Sequence, residues 1–280
     1  MTGQRAVAGI LHPGSMGAAV AAQAHGNGAT VLWCSEGRSV ATRRRAVEAG
    51  LTEVSSLGHL VERSQVLLSI CPPATAAAVA NDVAACGYQG VYVEANAIAP
   101  ERVGRVAATL PDATVVDGSL IGSPPRGDKQ PQLFLSGPGE AVAQVEELFV
   151  GTDVRTRRLG FELGQASALK LAYTSYQKAS RVLAALSYAM AADHGVEEEL
   201  LEVAEGRSGS YLAEPNYIAK TAARAWRWAP ELTEAADVLE SCGLPGEPVR
   251  GAAGALLRWQ EERDAELTME EALSRLHHLR

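Results

Sequence analysis

Arg5-Ala6-Val7-Ala8-Gly9-Ile10-Leu11 runs directly into His12-Pro13-Gly14-Ser15-Met16-Gly17, and an Ala-rich stretch follows as far as His25. A short apolar run, a Gly-punctuated turn and a helical stretch make a strand–turn–helix unit. The same grammar continues outward from it. Apolar runs recur at Thr30–Trp33, Val66–Ile70, Val91–Glu94, Thr114–Val116 and Gln132–Leu135, most of them followed by Gly, Pro or Ser and then an amphipathic segment. Short continuous apolar strands alternating with helices predict a parallel sheet covered on both faces, a doubly wound α/β domain over residues 1–162. After Gly160 the strand signal stops. One long helix is expected from Gly164 to about Ala192, then helices at Glu197–Glu205, Leu212–Trp228, Glu231–Cys242, Val249–Arg263 and Met269–Leu279. Residues 163–280 thus read as an all-α domain entered through a long helix.

Composition narrows the partners. The chain has 280 residues and a formal charge of −8, which argues against a general nucleic-acid binder, since such proteins need a basic face for phosphates. Aromatic residues make only 5%, so the core must rest on aliphatic packing and close backbone contacts. Cys34, Cys71, Cys86 and Cys242 show no paired spacing, and free thiols in a reducing compartment are expected. No run approaches the ~18 apolar residues of a membrane span, and no charged-then-apolar leader precedes Arg5. A cytoplasmic protein with no metal, no membrane and a small-molecule ligand is the expectation.

The opening turn indicates which ligand. A dinucleotide-binding (Rossmann) fingerprint uses one Gly for the tight turn, a second for approach of the pyrophosphate and a third for helix–strand packing. Gly14 and Gly17 supply the second and third, while His12 stands where the first would be. The candidate pyrophosphate contacts are His12, Pro13, Gly14, Ser15, Met16 and Gly17. The second strand ends in Cys34-Ser35-Glu36-Gly37-Arg38-Ser39, and Arg43-Arg44-Arg45 opens the next helix. An NAD site would put Asp or Glu at that strand tip, whereas hydroxyls and a guanidinium suit a ribose 2′-phosphate. Ser35, Arg38, Ser39 and Arg43 therefore favour NADP(H) over NAD(H), with Glu36 standing as a displaced ribose acid in the other reading.

The order of motifs resembles the β-hydroxyacid dehydrogenase and 6-phosphogluconate dehydrogenase superfamily, which includes the imine reductases. Gly9 to Gly17 resembles the opening G-x-x-G-x-G-x-M-G, with His12 as the departure. Cys71-Pro72-Pro73 resembles the loop that passes along the cofactor. Glu94-Ala95-Asn96-Ala97-Ile98-Ala99-Pro100 resembles D-x-N-x-x-S-P, which implies that Asn96 lies near nicotinamide and substrate. Asp117 to Ser123 resembles D-A-P-V-S-G-G, and Gly164 to Lys170 resembles G-x-G-x-x-x-K, whose Lys is the family's catalytic residue. Trp226-Arg227-Trp228, Glu231, Glu234 and Gly243-Leu244-Pro245 resemble the phosphogluconate-dehydrogenase-like C-terminal domain of a poorly characterised bacterial subgroup. The resemblance implies a homodimer interlocked through the helical domains.

It also implies Lys170, Asn96 and Tyr173 as catalytic residues, Cys71, Pro72 and Asn96 beside the cofactor, and Ser119, Ile121, Gly122, Tyr173 and Thr174 around the substrate. Two departures bear on the chemistry. Ile121 replaces the Ser that grips a substrate carboxylate, and Tyr173 and Thr174 replace an Asn pair. A Lys in an apolar helical stretch has its pKa lowered by burial, which would let Lys170 act as general acid/base in hydride transfer between NADP(H) and a small hydroxy or oxo compound. An imine reductase on the same fold, or an NADP-binding protein without catalysis, are the alternatives. Lys178 has no motif and reads as structural; Arg126 reads either as a contact to an anionic substrate or as a surface Arg, and the resemblance implies that the Gly206–Ser210 loop comes toward the active cleft.

Overall fold

In the computed structural model, the described residues are 6–277 without 207, 208, 210, 212 and 213. The chain divides into two compact units, Met1–Ser175 and Tyr176–Arg280. The first unit is built on one eight-stranded sheet. Its strands are β1 (Val7–Ile10), β2 (Thr30–Cys34), β3 (Thr52–Val54), β4 (Val66–Ser69), β5 (Val91–Glu94), β6 (Thr114–Ile121), β7 (Gln132–Ser136) and β8 (Arg155–Gly160). The order is β3-β2-β1-β4-β5-β6-β7-β8. All neighbours pair in parallel except β6 with β7, so the expected doubly wound sheet is present with one antiparallel junction.

Helices α1 (Ser15–Gly26), α2 (Val40–Glu48), α3 (Leu57–Arg63), α4 (Ala76–Ala85), α5 (Pro100–Thr109) and α6 (Gly139–Glu147) connect the strands. The two faces of the sheet carry separate cores. Ile10, Trp33, Leu68, Val93 and Val116 pack on one side with α1 and α6 residues such as Val20 and Val145. Leu32, Leu67, Tyr92 and Val115 pack on the other with Leu60, Ala80 and Val103 of α3, α4 and α5. Central strands buried on both faces explain why their sequences are continuous apolar runs.

Two strands escaped the sequence reading for the opposite reason. β3 and β8 lie at the sheet edges, where Thr52 and Glu53, and Arg155, Arg157 and Arg158, are exposed. Charged edge strands blunt edge-to-edge pairing and carry no apolar signal. β6 also runs past the expected Thr114–Val116, because Gly118 to Ile121 continue against antiparallel β7, with Ile121 opposite Gln132.

α7 (Gln165–Asp193) is the expected long helix, and its first turns, to Ser175, belong to the first unit. The second unit contains α8 (Glu197–Glu205), α9 (Ile218–Ser241), α10 (Glu247–Leu256) and α11 (Met269–His277). α9 corrects the expectation of two helices divided near Pro230: it is one helix with Pro230 inside. Ala222, Ala225 and Ala229 upstream of the proline pack with Leu256, Trp259 and Ala272, and Ala236 and Leu239 downstream are also buried. That packing holds the axis through the missing N–H, since tertiary contacts override a local break. The helix expected at Val249–Arg263 also ends earlier, α10 stopping at Leu256 and passing into a 3-10 turn at Leu257–Trp259. The expected strand start at Arg5, helix start at Leu212, helix end at Leu279, and Arg207, Ser208 and Ser210 of the loop lie outside the described residues.

Two glycines of the opening turn differ in purpose. A Cβ on Gly17 would sit 2.3 Å from the His12 carbonyl oxygen, so helix and turn approach too closely for any side chain. A Cβ on Gly14 would meet nothing within 4 Å. Replacing Gly17 by Ala is expected to lower urea-unfolding stability by about 1–3 kcal/mol. Gly14→Ala should leave it within about 0.5 kcal/mol.

Candidate functional site

The register aligns the carboxyl ends of the central strands. Ile10 pairs with Trp33 and with Leu68, Ser69 with Glu94, and Glu94 with Asp117. The segments that follow β1, β2, β4 and β5 therefore leave the sheet along one edge, and open α/β sheets bind ligands there. On this edge His12 to Gly17, Arg38, Thr42, Ile70, Cys71 and Pro72 enclose a cavity of about 300 Å³. Of the expected cofactor contacts, nine line this cavity: His12, Pro13, Gly14, Ser15, Met16, Gly17, Arg38, Cys71 and Pro72.

The cavity floor is a helix N-terminus. Gly14 is the N-cap of α1 and offers no side-chain cap, and no acidic residue stands in the first turn. Orphan amides there attract an anion, and the open space over Gly14 admits one. His12 occupies the position of the first Gly without strain, because among the described residues only Asp264 is a non-glycine with positive φ. The turn is closed by the Gly14 amide donating to the His12 carbonyl at 2.8 Å.

Two polar atoms in this wall have no hydrogen-bond partner among the described residues: His12 Nδ1 and Arg38 Nε. Arg38 Nη2 donates to the Leu11 carbonyl at 3.0 Å, which holds the guanidinium beside the turn. Burial, with the Arg38 charge second, pulls the His12 imidazole down to about 4. It is neutral at pH 7.

The other residues of the second-strand loop serve the scaffold. Ser39 caps α2 by accepting the Thr42 amide at 3.2 Å. Arg43 donates to the Ser35 carbonyl at 2.8 Å and pairs with Glu53 at 3.3 Å. Ser35 is buried. Ser35, Ser39 and Arg43 do not line the cavity, while Thr42, which the sequence reading omitted, does. Arg45 was also passed over, yet its Nε donates to the Pro13 carbonyl at 3.3 Å and its Nη2 to Thr42 Oγ1 at 3.0 Å. Helical spacing from Thr42 was the available signal. Glu36 is exposed and outside the lining.

Asn96 is buried just beyond β5, and its side chain bonds to neighbouring strands and loops. Its Oδ1 accepts the Cys71 amide at 2.6 Å, and its Nδ2 donates to Ser69 Oγ at 3.1 Å and to Glu94 Oε1. Asn96 thus ties the segments after β4 and β5 together.

A second knot fixes α7. Asp117 of β6 is fully buried, and burial raises its pKa against the hydrogen bonds that lower it. Its carboxyl accepts the Ser167 amide at 2.9 Å, the Ser167 hydroxyl at 2.6 Å and the Ser136 hydroxyl at 3.3 Å. Ser136 Oγ in turn accepts the Ala166 amide at 3.3 Å. A carboxyl against a helix N-terminus satisfies orphan amides and meets the helix dipole. One turn on, Lys170 is half-buried and its Nζ donates to the Leu120 carbonyl near the end of β6. Ser119 is buried, with a hydroxyl that finds no partner among the described residues. Tyr173 is 40% exposed, Thr174 and Ile121 are half-buried, and Gly122 turns at φ 127°.

Among the described residues no group of three His, Cys, Asp or Glu side chains could hold a metal ion. No described helix is long and apolar enough to cross a membrane. All four cysteines are free, with Cys34 buried and Cys86 exposed.

This fold recurs in known proteins. A solved protein of unknown function, reported for its structural similarity with 3-hydroxyacid dehydrogenases, is 25% identical with a TM-score of 0.59, covering 97% of this chain and 100% of its own. A reductive aminase from Aspergillus terreus, solved with NADPH and ethyl levulinate, is 20% identical with a TM-score of 0.75 and coverage of 97% and 99%. An imine reductase from Pseudomonas sp. is 16% identical with a TM-score of 0.72 and coverage of 98% and 100%. An uncharacterized 28.5 kDa protein of Methanothermus fervidus is 27% identical over 179 residues, 64% of this chain and 68% of its own. The family described as a domain of unknown function, DUF1932, matches residues 191–259, the region of the Trp226 to Pro245 motifs. The chain has the hydroxyacid dehydrogenase-like fold, with a DUF1932 domain in its helical half. The solved structures that share this fold include a reductive aminase and imine reductases.

The depressed His12 pKa has a consequence for acid stability. The unfolded imidazole takes a proton near 6.5 and the folded one only near 4. The unfolded state therefore binds more protons between these values, and stability falls as pH drops through that window. His12→Asn should flatten this part of the stability–pH curve in urea melts from pH 7 to 4.

Proposed function

We propose that this protein is an NADP(H)-dependent oxidoreductase acting on a small hydroxy or oxo compound, with Lys170 as general acid/base. The observation that carries the reading is the pairing of an uncapped helix N-terminus under open space at Gly14 with a guanidinium whose buried Nε has no partner among the described residues. A dinucleotide with a 2′-phosphate fits that donor set. The Ser15 and Met16 amides would hold the pyrophosphate, and Arg38 with Thr42 the 2′-phosphate. The absence of Asp and Glu from the lining supports NADP(H) over NAD(H). A neutral His12 adds no charge beside the turn.

When bound, the nicotinamide supplies or accepts the hydride. The chain's own task is the proton. Asp117 and Ser136 anchor the start of α7, and the Leu120 carbonyl orients Lys170 Nζ at the end of β6. From there the ammonium gives a proton to the substrate oxygen in reduction, and the amine takes it in oxidation. Ile121 cannot hydrogen-bond a carboxylate, which weighs against simple 3-hydroxy acids.

Titration calorimetry should find NADPH bound more tightly than NADH. Arg38→Ala should cut NADPH affinity about tenfold and NADH affinity less. Gly14→Ala, though folded, should bind neither well. Equal affinity for both cofactors in wild type and Arg38→Ala would overturn the NADP(H) assignment. Lys170→Met should lower turnover about 10²- to 10⁴-fold with NADPH binding unchanged.

Imine reduction is the second reading, favoured by the fold shared with the aminase and imine reductase. NADPH oxidation measured side by side with oxo compounds and cyclic imines separates the two. Turnover of imines alone, undiminished in Lys170→Met, excludes the first. NADPH binding without turnover of any carbonyl or imine favours a cofactor-binding protein without catalysis.

A further inference from the structure

Glu94 is a fully buried carboxyl that the proposed proton transfer does not use. It ends β5 and pairs in register with Ser69 of β4 on one side and Asp117 of β6 on the other. Its Oε1 accepts the Asn96 amide at 3.1 Å and also Asn96 Nδ2, while Oε2 finds no partner among the described residues.

A primary carboxamide has one donor end and one acceptor end, and its two orientations are otherwise alike in shape. At Asn96 the choice matters. With Nδ2 toward Glu94 and Ser69, Oδ1 faces the Cys71 amide and accepts from it. Turned over, the NH₂ would meet the Cys71 N–H donor to donor. Ser69 can donate or accept, so it does not decide the orientation alone. A carboxylate accepts only, and it does.

We propose that Glu94 is a positioning residue, whose buried carboxyl holds the Asn96 carboxamide in the orientation that clamps the Cys71 amide and so shapes the wall that Cys71 and Pro72 give the nucleotide cavity. The proposal rests on the nicotinamide-cofactor reading of that cavity. Glu94 touches neither cofactor nor substrate and acts through Asn96.

The groups that face Glu94 make this clamp sensitive to pH. Asp117 faces it from β6, Arg102 from α5 and Tyr92 from its own strand. Burial, joined by the Asp117 charge, pushes the Glu94 carboxyl up to about 7, against the Asn96 hydrogen bonds and Arg102, which lower it. Arg102 also donates to the Pro73 carbonyl at 2.8 Å, so the same loop is held from two sides. As pH rises through neutrality, the bonds from Asn96 become charge-assisted, which strengthens them about twofold. The Cys71 clamp tightens with them.

The test compares wild type with Glu94→Gln in two measurements. The first is the dissociation constant of NADPH from pH 6.5 to 8.5. Titration of the cofactor's phosphate is common to both proteins, so their difference isolates Glu94. The second is hydrogen exchange of the Cys71 amide without nucleotide, corrected for intrinsic base catalysis and referenced to the Leu11 amide, which donates to the Leu68 carbonyl at 3.1 Å.

Wild type should tighten NADPH about fivefold more across this range than Glu94→Gln, with Cys71 protection rising in parallel. Matching pH profiles with a lowered melting temperature for Glu94→Gln would mean a structural role only and overturn the proposal. If neither protein binds NADPH, the cofactor reading fails, and Cys71 exchange decides Glu94 by itself: protection that does not differ between the proteins overturns it. If Glu94→Gln does not fold, the wild-type exchange profile decides: Cys71 protection that stays level relative to Leu11 overturns the proposal.

Discussion

Asp117 is a fully buried carboxyl, and the site geometry hangs from how its oxygens are satisfied. A buried carboxyl in an apolar sheet is costly unless hydrogen-bonded. Here the donors are the Ser167 amide and hydroxyl and the Ser136 hydroxyl, contributed by α7 and β7. Meeting the needs of one buried group therefore requires that the start of a helix and two antiparallel strands converge. Lys170 follows one turn later, and its Nζ reaches Leu120 because Asp117 has already set the phase of the helix on β6. Gly164 admits this approach, since its φ of 97° is suited to glycine and a Cβ there would lie 2.8 Å from Pro100.

The end of the edge at α1 follows a different logic, in which space rather than charge is decisive. Gly17 lets α1 close on the His12 carbonyl, and Gly14 leaves the helix N-terminus open. Around that opening the chain places cations whose other nitrogens are committed to backbone carbonyls: Arg38 on Leu11 and Arg45 on Pro13. Guanidiniums braced in this way lose little freedom when an anion arrives. Between the two ends lies the buried row of Ser69, Asn96, Glu94 and Asp117, running across β4, β5 and β6. It is the polar seam of an otherwise aliphatic sheet.

Much of this was legible in the sequence, and the gaps have physical causes. The central strands were readable because burial on both faces leaves an apolar run, and the edge strands were not because their side chains are exposed. Pro230 misled because its penalty is local, while the packing that offsets it comes from Leu256 and Trp259, far along the chain. Arg38 and the Gly14–Gly17 turn, singled out by spacing, do line one cavity. Thr42 and Arg45 were not singled out, because a basic run at the start of a helix reads as a solvated face. Arg43 and Ser39 went the other way: the right residue types in the right loop, used for an ion pair with Glu53 and for a helix cap.

The sequence by itself determined the strand–turn–helix opening, the doubly wound sheet, the long helix after Gly160 and the residue types that a phosphate and a proton transfer require. These follow from periodicity and spacing, which act over a few residues. Only the tertiary structure decided which of those side chains keep a group to offer. Hydrogen-bond partners are drawn from segments 25 to 50 residues away, as with Cys71 and Asn96 or Asp117 and Ser167. A buried polar group must take whatever partner the fold brings, and no local pattern records which one that is.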